Sequence, residues 1–549
     1  MMRHLLTIFL LLMTGYAFGG EIIVHEGESL HDALRQAREW RRTNDTRCLG
    51  GITITLQAGR YYMQEPLFLR PEDSGTKESP LTIRGIGELN TSVICGDARQ
   101  RHTQLWPLKE QGDSLSSRKH DDGLPDKGME RIIDFNTTDR TITIPTPPQN
   151  VLSLLTSHLS PLEMVVHQRW AIAILRVKEM KVEGDKTIVS FMEPESRLEF
   201  EHPWPQPVIL QPEGRSVARN GGEKGNSSFL LRTTEQRDGI EQLVIVDGAN
   251  YVRFEGLTFD KTCWNRPLHK GHVTLQGGMP LVDAYKLKEK PGLPWDKGLE
   301  NQAWIERPVS AVTVKNAHHV DFHHVLFQNL ASTALDFVEN VSDCTVQNCT
   351  FGNIGGTAIM GGSFAESPLE VHRPYTDLAK RCQRLTIKEC PIVDVANEDW
   401  GAVAIALGYV RNCTVSHNFV SRTSYSGICV GWGWTPHDTG MQNNRIVGNR
   451  VSHYARQLYD AGGIYTLSNQ PGSVISGNII SDPYPAPYAT NDRGFRIYLD
   501  ARTDGFTIES NKTYDAVGTK HGKIPTDLRP IRRDEIGDNH PGPNLIFKQ

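Results

Sequence analysis

From Tyr251 onward the chain repeats itself, and the interval of that repeat leaves few folds open to it. The segments Tyr251-VRFEGLTF, Val320-DFHHVLF, Cys344-TVQNCTF, Leu385-TIKECPIV, Cys413-TVSHNFV, Asn444-RIVGNRV, Gly472-SVISGNII and Phe506-TIESNKTY align. They put Val325, Cys349, Cys390, Asn418, Asn449, Asn478 and Asn511 in one column, and the last three intervals are 31, 29 and 33 residues. Short alternating strands at such a period mean a solenoid, each unit forming one coil. Coils stack at about 4.8 Å, so Asn side chains in one column can hydrogen-bond along the axis. A second column, Leu335, Ile359, Val403, Ile428, Ile464 and Ile497, marks a second sheet face. The expected fold is all-β, a right-handed parallel β-helix. The loops Ser363 to Arg384 and Asp482 to Arg493 vary in length, and variable loops on one side of a regular solenoid usually build its functional groove.

The stretch before the repeats divides into three. Residues 1–19 read as a signal peptide: Arg3 and His4, an apolar run from Leu5 to Met13, then small Ala17 and Gly19. That run is shorter than the ~20 residues a membrane span needs, so the expectation is export to the periplasm or beyond, without membrane insertion. Residues 20–103 read as a cap and first coils. Ser29 can cap a helix in which Leu30, Ala33, Leu34 and Ala37 form one apolar stripe, suited to covering the open end of the stack. Residues 104–238 read as an inserted β domain, richer in proline, with a long strand over Met164–Val177; residues 239–549 form the main β-helix. The net charge of −5 and the lack of a basic stripe argue against nucleic acid. Nine cysteines leave at least one unpaired, and no CxxC points to zinc. Cys349, Cys390, Cys413 and Cys429 read as small core residues in a ladder. A monomer without metal or cofactor is expected.

Hydrolysis of a polysaccharide needs two carboxyls, one protonated and one ionised, flanking the glycosidic bond. Asp399, Asp460 and Asp500 cluster around the second column, with Asp336 as a weaker candidate. Asp399 and Asp460 both stand four residues before a column member, two coils apart, a separation of about 9.6 Å at ~4.8 Å per coil. Asp460 and Asp500 sit on adjacent coils but seven positions apart along the strand, so they meet only if the chain bends, and Gly462-Gly463 permits a bend. Trp432 and Trp434 alternate on an extended segment and can present one side to a sugar; the competing reading is core filling. His437, Tyr465, Tyr498 and Arg496 flank the same face. Arg496 can pair with an acidic sugar or depress a nearby carboxyl. His167, Trp170 and Arg176 belong to the inserted domain and either reach over the groove or pack.

The segments Leu56-QAGRYYMQEPLFLRPEDSGT, Val166-HQRW with Arg176, Val252-RFEGLTF, Tyr425-SGICVGWGW, Asp460-AGGIYTLSNQPGS and Ile497-YLD resemble bacterial β-helix proteins related to glycoside hydrolase family 141. The resemblance implies action on plant cell-wall glycans, α-L-fucosidase-like or xylanase-like, with acids in the Asp-x-Gly-Gly-Ile-Tyr and Ile-Tyr-Leu-Asp segments. It thereby favours Asp460 and Asp500 as the catalytic pair. Ala461, Ala501 and Arg496 depart from the pattern, where Gly, Glu and a small residue are expected. Two rivals remain at this point: a polysaccharide lyase, and a glycan-binding solenoid without catalysis.

Overall fold

A computed structural model describes residues 19–96, 102–106, 129–149, 152–153, 162–202, 205–209, 227–234, 239–283, 286–289, 299–302, 305–364, 377–436, 438–484, 494–514 and 527–548. The signal peptide expected over residues 1–19 therefore lies outside them but for its last residue, as do His437 and most of the two variable loops. The described chain winds as a parallel β-helix. One coil runs Thr414–Ser416, Phe419–Thr423, Ile428–Val430, and each piece joins a different stacked sheet. Among the described residues these sheets hold 12, 11 and 10 strands, called here the first, second and third sheets in coil order.

The column of Val325, Cys349, Cys390 and the four asparagines holds in register throughout. It occupies the turn from the first sheet to the second. The residue before each member, such as His417, Gly448, Gly477 or Ser510, has φ between 51° and 66°, which folds the chain sharply enough to aim the next side chain inward. Asn418 Nδ2 donates to Asn449 Oδ1 at 2.9 Å, Asn449 to Asn478 at 3.1 Å, and Asn478 to Asn511 at 2.9 Å. Every acceptor Oδ1 also takes the backbone N–H of the preceding coil's Asn. Burying an amide without partners is costly, and the ladder supplies them. Alongside it the core stacks aromatics in register: Phe327 on Phe351, with centroids 4.6 Å apart and planes 4° apart, and Phe254 on Phe322 at 5.0 Å.

The capping helix spans Leu30–Arg42, with Ser29 Oγ accepting the Asp32 N–H at 3.2 Å, and it buries Leu30, Ala33, Leu34, Ala37 and Trp40. The second column needs one correction. Leu335, Ile359, Ile428, Ile464 and Ile497 stack as expected, but Ile405 holds the place given to Val403, and Ile536 extends the column. A turn closed by Ala402 N to Asp399 O at 3.1 Å absorbs the two extra residues.

Between the early and late coils, strands from His102 to Thr234 form a separate antiparallel sheet. The expected long strand over Met164–Val177 is instead a hairpin, Leu162–His167 and Ile172–Glu183, because Gln168–Ala171 makes the turn. His272–Leu275, well past the insertion, returns to pair with this sheet at Ile174. Buried Glu163 links its strands to the coils: it accepts from Arg232 at 3.1 Å and Arg266 at 2.8 Å. All nine cysteines are free.

Candidate active site

The third sheet positions the candidate residues. Its inward column is aliphatic, and the alternate residues Asp336, Met360, Ala406, Cys429, Tyr465, Tyr498 and Gly537 align on the opposite face. Cys429 thus stands in the groove-side column and not in the core ladder expected for it.

Asp460 and Asp500 occupy opposite ends of the adjacent strands Ala461–Thr466 and Gly494–Leu499. They are drawn together by the bend expected at the glycine pair. Asp460 has φ 63°, and a Cβ on Gly462 would lie 2.5 Å from the Ile464 carbonyl oxygen, so only glycine fits there. Tyr498 Oη donates to Asp460 Oδ1 at 2.9 Å. Tyr465 Oη donates to Asp500 Oδ2. Those two rings pack edge to face with centroids 5.3 Å apart, so a contacting phenol pair spans the two carboxyls.

The two acids differ in surroundings. Asp460 is half-buried, whereas Asp500 is 5% exposed. Burial, then the negative charge of Asp460, push the Asp500 carboxyl up to about 6, against the donors Tyr465 and Asn539 that hold it down. Burial and the same carboxylates raise both phenols, so Tyr465 and Tyr498 stay protonated as donors. Two participants gave no signal in the repeat pattern. Asn539 Nδ2 donates to Asp500 Oδ1 at 2.8 Å, and Tyr425 Oη donates to the Asp460 carbonyl at 3.0 Å. Asn539 could have been found by continuing the second column: Asp538 pairs with Leu499, which puts Asn539 beside Asp500.

The other candidates are distributed differently. The expected match of Asp399 with Asp460 fails, because the column shift puts Asp399 six residues before Ile405, not four. Asp399 instead accepts from the Gly401 N–H at 3.0 Å and lies 2.9 Å from Nε2 of buried His272. Asp336 is buried in an ion pair with Arg307. Trp432 and Trp434 are not exposed indoles: each is 4% exposed. They pack on one another at 4.6 Å, Phe364 covers Trp432 edge-on at 5.1 Å, and the turn at Gly277 lies against it. Trp432 and Tyr465 nevertheless line a common cavity beside the aspartate pair. Arg496 is engaged by Thr513 at 3.4 Å and Glu535 at 3.7 Å, which accounts for its guanidinium without a sugar carboxylate.

His167 and Trp170 are buried at the hairpin turn of the inserted sheet. Burial pushes the His167 imidazole down to about 3, so it is neutral, and its ring meets Ser228 at 3.3 Å and Trp400 edge-on at 5.9 Å. The same turn abuts the segment leading into Asp460, with Tyr459 N donating to Arg169 O at 3.3 Å. His167 and Trp170 are thus packing residues of the hairpin that contacts the chain just before Asp460. Arg176 pairs with buried Glu195 at 2.6 Å.

This arrangement has a counterpart among solved structures. A glycoside hydrolase is 31% identical over 96% of this chain and 96% of its own, with a TM-score of 0.79. The family model of the GH141 insertion domain matches residues 93–220. The chain is a glycoside hydrolase related to family 141. It is a glycosidase, and its substrate is a carbohydrate. Much weaker likenesses are to PfbA, a surface adhesin of Streptococcus pneumoniae (12% identity, 92% of this chain and 78% of that one, TM-score 0.38), and to DFA-IIIase from Arthrobacter chlorophenolicus A6 (10%, 97% and 92%, 0.39). Among curated protein sequences nothing matches. Among the described residues, no group of His, Cys, Asp or Glu has the arrangement of a metal site, and no helix is long and apolar enough to cross a membrane.

Proposed function

We propose that this glycosidase is an exported monomer that cleaves plant cell-wall polysaccharide, with fucosidase-like or xylanase-like activity, using Asp500 as the acid and Asp460 as its ionised partner. The observation that carries this reading is the pairing of unequal carboxyls, one buried and raised to about 6, the other half-buried, joined through Tyr465 and Tyr498. A carboxyl raised toward neutrality holds a proton at the pH where its neighbour has lost one, the division of labour that glycoside hydrolysis requires.

In the proposed reaction Asp500 gives its proton to the glycosidic oxygen as the C–O bond breaks, so the leaving sugar departs as a neutral alcohol. Asp460 carries the matching negative charge, as base toward water or as nucleophile toward the anomeric carbon. Its orientation comes from the Tyr498 hydroxyl and from Tyr425, which fixes its backbone. A lyase would need a cation for a uronate carboxylate, and the one arginine singled out for that task is engaged by Glu535. The test is sugar release from a panel of plant cell-wall polysaccharides by Asp460→Asn and Asp500→Asn, with circular dichroism to verify folding. Both variants should lose at least about 10³-fold in kcat. Full activity in either folded variant rejects its assignment, and the anomeric configuration of the first product distinguishes the two roles of Asp460.

A further inference from the structure

The cavity beside the aspartate pair has walls of unusual chemistry for a sugar site. Ala406 and Cys429, in register with Tyr465, form a floor of small side chains. Phe364, Tyr425 and Trp432 wall it, and among the described residues no charged side chain lines it. The hydroxyls of Tyr425 and Tyr465 are already committed to Asp460 and Asp500. Among the lining residues, Trp432 Nε1 is the buried side-chain polar group left without a partner.

Such walls suit neither a uronate nor a sugar ring studded with hydroxyls, because a buried polar group without a partner costs free energy. They suit a small apolar group that brings one acceptor. An acetyl group has that composition, a methyl and a carbonyl oxygen. We propose that the cavity is a subsite for an acetyl substituent carried by a sugar bound at the cleavage site. The methyl rests on Ala406 and Cys429, and the carbonyl oxygen accepts the Trp432 N–H. The assignment rests on reading Asp460 and Asp500 as the catalytic pair, since Tyr465 joins the cavity to Asp500.

The experiment compares O-acetylated xylan and pectin oligosaccharides with the same panel after mild alkali has removed the esters. A second arm uses N-acetylated amino-sugar oligosaccharides and their N-deacetylated counterparts, so an ester and an amide source are told apart. The wild-type protein should favour one acetylated form over its counterpart by about tenfold or more in kcat/KM, the discrimination an apolar pocket gives for a small group. Ala406→Leu and Cys429→Leu, which fill the floor, should bring that ratio toward one, and Trp432→Phe, which keeps the ring and removes the N–H, should lower it several-fold. Thermal unfolding confirms that each variant is folded. Equal kcat/KM with and without acetyl, or a preference that survives both filled-floor variants, overturns the subsite. Binding of the same panels to Asp460→Asn, measured by calorimetry, separates this claim from the catalytic one. A wild-type protein that hydrolyses nothing while Asp460→Asn still prefers acetylated sugars would sink the catalytic reading alone; no preference in binding sinks the subsite.

Discussion

Asp500→Asn should make the protein more stable while disabling it, and the gain should depend on pH. The carboxyl is raised from 3.8 to about 6 by burial and by Asp460. The folded state therefore holds a proton that the unfolded chain releases near pH 4. Stability contributed by that proton is fully present below pH 4 and is lost as pH rises through about 6. At ~1.4 kcal/mol per pH unit, the ionised folded form is disfavoured by about 3 kcal/mol at pH 8. Asparagine removes the charge but cannot accept from both Tyr465 and Asn539, as the carboxylate does. One lost hydrogen bond costs about 1 kcal/mol, leaving a net gain of about 2 kcal/mol at pH 8 and a net loss of about 1 kcal/mol below pH 4. The assay is guanidinium unfolding of both proteins from pH 4 to pH 8, with the difference in midpoint followed against pH. It should change sign within that range and level off above pH 7. A difference that stays flat across pH would refute the placement of a strained, proton-holding acid at this position.

Three further outcomes follow from the same geometry. The alkaline limb of the kcat/KM profile should fall near pH 6, since the role proposed for Asp500 requires its proton; a limb above pH 8 would reassign the acid. Tyr498→Phe removes the donor to Asp460 Oδ1, and loss of a hydrogen bond to a charged group, ~1.5–3 kcal/mol, should lower kcat about tenfold or more in steady-state assays. Asn449→Ala strips the ladder of the acceptor for Asn418 and the donor to Val415 O and Asn478, and should cost about 3 kcal/mol in chemical unfolding by leaving buried groups unpaired.

How much of this was legible in the sequence depended on where each contact's two partners lie. The Asn ladder was readable because its partners are the same residue one period apart, so Asn418, Asn449, Asn478 and Asn511 announce one another. The bend that brings Asp460 to Asp500 was readable because Gly462-Gly463 sits within the segment it bends. The second column slipped by two residues at Val403, because the turn after Asp399 inserts residues without any compositional mark. The choice between exposed and core-filling indoles at Trp432 and Trp434 is not legible in the sequence, because the residues that cover Trp432, Phe364 and Gly277, come from distant loops with no periodic relation to it. The face taken by Cys429 is not legible either, because a cysteine in a strand carries no indication of it; the register with Tyr465 settles that.

A solenoid also poses a problem that its repeats cannot solve. Successive coils give equivalent surroundings to equivalent positions, yet hydrolysis needs two carboxyls that titrate apart. The asymmetry enters from outside the repeat. The C-terminal segment adds Ile536–Asp538 as one more rung and brings Asn539 against Asp500, helping to enclose that carboxyl. On the other side, the inserted sheet presses its hairpin turn against Tyr459, just before Asp460. Asp460 stays half-buried while Asp500 is covered. Desolvation then raises the covered acid, and the charge of the open one raises it further. The coils supply the adjacent strands, and the tail covers Asp500 while Asp460 stays open; that inequality is what the proposed division into an acid and its ionised partner requires.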